Sequence, residues 1–308
     1  MSDPAHLTLL DKLAVWSSWG VAAALFYNLG WMALAPSDPL GAVSLFARGP
    51  GAPGWAILLQ AAGLAAVTAA IAAVLSGRQL AYAGPFAAAL GLGVVALRGE
   101  SAEYLLLAAT GSSESPGKAI AAKLALESVG WLFVILVALA VSGIVTRWCF
   151  GRPHDTQHER TPAPRTIDGP YFTLIATAAS LFAFNILTTG LDRRAIQHGQ
   201  VCFVVAASVW LGCFLAHRMV AVRSVLWSIF SVALLAVVGY LWAGARSPDP
   251  NLPPSVPTSH FLRVLPIQFI AVGAAAAIAA YWSMLRHRAL SAADDETTEA
   301  TRASEGRR

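Results

Sequence analysis

The sequence predicts an all-α membrane protein, a polytopic transmembrane bundle of about eight helices arranged as two parallel four-helix repeats. Three observations carry that expectation. Of 308 residues, 56% are hydrophobic and only 12% are charged, about half the charge of a soluble domain, and mean hydropathy is +0.60. The charges gather in short clusters between long apolar runs. Eight runs meet or approach the roughly 20 residues a helix needs to cross a bilayer. Helices are the open-chain solution, because unpaired backbone groups in lipid cost several kcal/mol each.

The first run, Leu13–Ala35, ends in Ala33-Leu34-Ala35, which resembles a cleavage site. Met1–Lys12, however, holds Asp3 and Asp11 against a single lysine, and Pro36 directly follows that motif, so a retained anchor is expected. The second run, Trp55–Ser76, places small residues at 62, 66, 69 and 73 on one stripe, which permits close helix approach. The third, Leu80–Leu97, is one of the two weakest and contains Pro85, a point of kinking or helix initiation. Ser101–Ala109 reads as a short interfacial helix. The fourth run is Ile120–Val145, and the fifth is Tyr171–Gly190. The sixth, Gln200–Ala216, is the other weak one; Val222–Gly244 follows, then Leu262–Leu285 with Pro266 near its start.

These runs divide the chain into a first membrane half (1–150), a Pro- and His-rich cytoplasmic linker (151–170), a second membrane half (171–288) and a polar tail (289–308) expected to be disordered. Thirteen Lys and Arg residues fall on the side of the termini and eight on the other. By the positive-inside rule both termini are cytoplasmic. The Ala-, Gly- and Arg-rich composition points to a bacterial plasma (inner) membrane. The net charge of +4 reports on loops and is no nucleic-acid signal; the expected partners are the lipid bilayer and a membrane protein or a second copy of the chain.

A shift of 140 positions superposes Gln60 on Gln200, Leu75 on Leu215 and Arg78 on Arg218, and a shift of 157 brings Asn28 onto Asn185. The even number of runs per half makes such repeats parallel, related by an axis along the membrane normal. Asn28, Gln60, Asn185 and Gln200 then fall in the outer leaflet, where they line a shared polar cavity or hydrogen-bond between helices. Glu127 lies within the fourth run, a costly place for a carboxylate and therefore a candidate site, or the interfacial partner of Lys123. An outer charged face would comprise Arg98, Glu100, Lys123, Arg193, Arg194, His198, His260 and Arg263.

No set of catalytic or metal-binding residues is legible. The histidines near the runs lie at their ends, which argues against a haem held between facing histidines, and no cofactor is predicted. HExxH, GxSxG, Walker A and dinucleotide patterns do not occur. Cys149, Cys202 and Cys213 form no CxxC pair. Three functional readings follow. The first is an accessory or scaffolding subunit of a membrane complex. The second is a transporter or solute-binding protein with an outer-leaflet polar cavity. The third is a membrane enzyme acting on a lipid-linked or periplasmic substrate, which would need Glu127, Arg98, His198 and Arg263 to converge.

Overall fold

In the computed structural model, the described residues are 9–35, 43–45, 54–77, 80, 82–98, 116–151, 167–191, 198–246 and 259–305. They form eight helices and no strand. Helix α1 is α-helical over Leu9–Leu25, π-helical over Phe26–Gly30 and closes with Trp31–Leu34. It is followed by α2 (Gly54–Ser76), α3 (Ala83–Arg98), α4 (Pro116–Phe150), α5 (Asp168–Thr188), α6 (His198–Met219) and α7 (Leu226–Ala245). A 3-10 turn (His260–Arg263) leads into α8 (Pro266–Glu305). Six helices are long and apolar enough to cross a membrane. The chain is a multi-pass integral membrane protein.

The two remaining helices depart from the eight uniform crossings that the apolar runs suggest. Helix α3 has 16 residues, about 24 Å at 1.5 Å per residue, against a hydrocarbon core of about 30 Å. Helix α1 loses its regular ladder where Asn28 Nδ2 donates to the Ala24 carbonyl at 2.9 Å. That carbonyl is the one the Asn28 backbone N–H would use in an α-helix, and the chain is π-helical over Phe26–Gly30. The Phe26 ring lies against Gly91 on α3, where a Cβ would collide with it.

Large apolar side chains project outward from helices of both halves, among them Met32, Trp55, Val67, Phe203, Leu241 and Trp148. Such a surface is untenable in water and natural in lipid. Inside, the core is built from Ala, Val and Leu with Trp131, Tyr240, Phe26, Phe172 and Phe184 fully buried. Helix α1 lies on α2 and α3, and α2 on α4; α5 lies on α6 and α7, and α6 on α8; but α2 packs closely on α3 whereas α6 barely touches α7. Between halves, α4 packs on α7, α8 packs on α3, and α4 meets α8. Helix α8 is the most enclosed of the candidate spans, with 72% of its apolar window buried.

Short connections gather the helix ends into two faces. The terminal face holds the start of α1, the α2–α3 and α6–α7 turns and the end of the apolar part of α8. The distal face holds the end of α1, residues 43–45, the ends of α3, α5 and α7, and the 3-10 turn. On the terminal face Tyr82 has φ 69, a strained value for a bulky residue. Its ring packs edge-on against Tyr281 at 5.6 Å, and its hydroxyl accepts from the Val225 N–H. Burial raises the Tyr82 phenol above its usual value, partly offset by that hydrogen bond. Beyond the membrane, α8 continues through Glu305 where the polar composition suggests a disordered tail. Residues 289–305 are rich in Ala and Glu, with high helix propensity, and they prolong a helix already nucleated by the core.

Candidate functional site

Two of the polar constellations among the described residues lie toward the distal face. The first surrounds Glu127, two turns into the described side chains of α4 and 1% exposed. Ser44 Oγ donates to Oε2 at 2.6 Å, Trp131 Nε1 donates to Oε1 at 3.0 Å, and the Leu45 backbone N–H donates as well. Trp131 reaches the carboxyl because it stands one helical turn later on the same face. Segment 43–45 reaches it because Gly54 lets the start of α2 approach the Leu45 carbonyl, where a Cβ would stand 2.6 Å from that oxygen. Three donors thus converge on one acceptor group, the arrangement by which a buried carboxyl is satisfied without a cation. Tyr240 on α7 lies within electrostatic range of it and donates its own hydroxyl to the Val264 carbonyl at 2.5 Å.

The second constellation is a groove on the distal face with a volume of about 540 Å³. Its walls are the end of α5 (Asn185, Thr188, Thr189), Arg246 just past α7, and Ser259 and His260 at the 3-10 turn. Its floor is the stacked pair Phe184 and Phe261, 4.2 Å between centroids, and Gly239 on α7 leaves the space that the Phe261 ring occupies. Local hydrogen bonds engage one donor of each polar side chain along the α5 wall. Asn185 Nδ2 donates to the Leu181 carbonyl at 2.8 Å, Thr188 Oγ1 to Phe184 O at 2.8 Å and Thr189 Oγ1 to Asn185 O at 2.7 Å. The side-chain oxygens of these residues are left as acceptors, beside the second N–H of the Asn185 amide. Opposite them stand the Arg246 guanidinium, which packs over Trp242 at 5.5 Å, and the His260 ring.

The residues singled out from sequence fall into different places. Asn28, Gln60, Asn185 and Gln200 are all exposed, and of these only Asn185 borders the groove. Glu127 belongs to the buried niche and not to the groove. Lys123 is exposed and makes no hydrogen bond to Glu127, so the interfacial pair expected of them is replaced by Ser44, Leu45 and Trp131. Arg98 Nη1 donates to the Tyr27 carbonyl at 2.7 Å and its guanidinium covers the Tyr27 and Trp31 rings at 4.5 and 4.6 Å. His260 lines the groove. Arg263, expected on the outer charged face, is only 7% exposed because the 3-10 turn folds in against α7. Glu100, Arg193, Arg194, the side chain of His198, Ser101–Ala109 and nearly all of the linker lie outside the described residues.

Sequence reasoning passed over Ser44, Trp131, Tyr240, Thr188, Thr189 and Arg246 as site residues. Arg246 had a signal: it follows the third helix of its half as Arg98 ends the third helix of the other. Arg98 is engaged by Tyr27 and Trp31, whereas Arg246 packs over Trp242 and lines the groove. The niche had none, since Ser44 and Glu127 are 83 positions apart. No known protein-family model matches this chain, and no curated protein or solved structure matches it.

Proposed function

We propose that this protein binds a small polar anion in the distal groove, as a solute-binding or transporting protein of a bacterial plasma membrane. The observation that supports this reading is the groove itself, with one guanidinium, one imidazole and a row of spare acceptor oxygens above an aromatic floor. Arg246 supplies the charge and a planar donor fork for a carboxylate or phosphate. The Asn185, Thr188 and Thr189 oxygens call for donors on the same ligand, so the solute class is a small hydroxylated or ammonium-bearing anion. The Phe184–Phe261 floor accommodates an apolar portion. With both termini in the cytoplasm, as the Lys and Arg distribution favours, the groove opens outside the cell.

The shared contacts of α1 with α2 and α3 and of α5 with α6 and α7 support a duplicated unit, in which Arg246 lines a groove while Arg98 is engaged by Tyr27 and Trp31. The accessory-subunit reading has no comparable observation behind it. The enzyme reading is weakened by Arg98 and Glu127 serving different partners. The test is a panel of hydroxy, amino and phosphorylated acids added to the detergent-purified full chain, with binding read by native mass spectrometry and thermal shift. A retained anion whose affinity falls roughly tenfold to a hundredfold in Arg246→Gln is expected, the loss of a charge-assisted hydrogen bond. Binding indifferent to Arg246→Gln overturns the assignment, and a stoichiometric second polypeptide with no small ligand returns the accessory-subunit reading.

A further inference from the structure

We propose that the terminal face carries a binding site for the phosphate headgroup of an anionic phospholipid, set between the end of α6, the α6–α7 turn and α8. Arg218, in the last turn of α6, points Nη2 at His287 Nε2 on α8, 2.5 Å away. A guanidinium only donates, so this ring nitrogen accepts, and the other, Nδ1, faces Ser291 Oγ at 3.4 Å. Arg288, the next residue on α8, lies within electrostatic range of both His217 and Tyr281. Tyr281 donates to the Arg223 carbonyl at 2.9 Å and so pins the turn beside it. Beneath these cations His217 is 2% exposed. Its Nε2 shares a hydrogen with Ser228 Oγ at 3.2 Å, and its Nδ1 has no hydrogen-bond partner among the described residues.

Among the described side chains the only carboxylates are Glu127, buried in its niche, and Asp168 at the start of α5. Neither Arg218 nor Arg288 has a carboxylate partner among the described residues; Arg218's contacts are His287 and the Phe214 ring at 5.6 Å. The next acids on α8 are Asp294, Asp295 and Glu296, about 9 Å further from the bundle at helical rise. Two cations at neighbouring helix ends, with no carboxylate partner among the described residues, favour an anion. Its depth selects the ligand. The apolar spans of α6 and α8 end at Met219 and Arg288, so both guanidinium groups stand at headgroup level, where the phosphodiester of an anionic lipid is the most concentrated anion.

The test uses the full chain in a neutral detergent, titrated with short-chain phosphatidylglycerol, phosphatidylcholine or inorganic phosphate, and read by native mass spectrometry and thermal shift. Phosphatidylglycerol should bind and stabilise selectively. Arg218→Gln and Arg288→Gln should each weaken it about fivefold, the worth of one basic residue at an anionic surface. Arg98→Gln, on the distal face, should leave it unchanged. Equal stabilisation by phosphatidylcholine overturns the site in favour of ordinary annular lipid, and an equal effect of inorganic phosphate overturns the lipid as the source of the anion. Unchanged phosphatidylglycerol affinity in the double variant would leave these arginines a role in topology alone. Should a glutamine variant fail to fold, lipid adducts on the unmodified protein decide, and equal numbers from the two phospholipids refute the proposal.

Discussion

Replacing Glu127 tests the interior most directly. Glu127→Ala leaves the Ser44 hydroxyl, the Trp131 indole N–H and the Leu45 backbone N–H without an acceptor at a position 1% exposed. Each buried orphan costs about 1–3 kcal/mol. The Ser44 hydroxyl can rotate to another partner and some strain relaxes, so the net loss should be about 3–5 kcal/mol. At about 2 °C per kcal/mol for a chain of this size, thermal unfolding in detergent should fall by about 6–10 °C. Glu127→Gln keeps the volume and one carbonyl oxygen. Its amide can donate to Ser44 Oγ, and the mismatch is confined to one fixed donor, so about 1–2 kcal/mol is expected. Ser44→Ala removes one of three donors and should cost about the same. Static light scattering and intrinsic fluorescence during a thermal ramp would rank the variants. A Glu127→Ala protein as stable as the parent, or a Glu127→Gln protein as damaged as Glu127→Ala, refutes the account of a carboxyl held by three donors.

Two other outcomes follow from the packing and the chain direction. Gly239→Ala pushes a Cβ into the Phe261 ring beneath the groove, which should cost about 1–3 kcal/mol by overpacking and disturb groove binding together with stability; a change in neither refutes the position of Phe261. Cys149 is exposed near the end of α4, whereas Cys213 is buried, so in a Cys202→Ala background a membrane-impermeant maleimide should label Cys149 alone. Labelling only after spheroplasts are permeabilised places the terminal face in the cytoplasm, and labelling of intact spheroplasts reverses the orientation.

The sequence by itself determined the solvent of this protein, and through it the class of fold. Runs such as Trp55–Ser76 and Val222–Gly244 have no polar face to present to water, and a backbone in lipid must close its hydrogen bonds locally. Helices and their approximate order therefore follow from one-dimensional composition. Asn28 and Asn185, each on an outward face, make the same bond to the carbonyl four residues earlier. What no run of residues encoded is which polar groups meet. Periodicity separates helical faces only when one face is wet, and in lipid both the outward and the inward faces are apolar. Val67 and Ala69 cannot be told apart by polarity, yet one is exposed and the other buried. The tertiary structure alone brought Ser44 to Glu127, stacked Phe184 on Phe261 beneath Arg246, and set Arg218 beside His287. Each of these contacts joins elements distant in the chain, and interhelical packing decides them once the membrane has already fixed the helices.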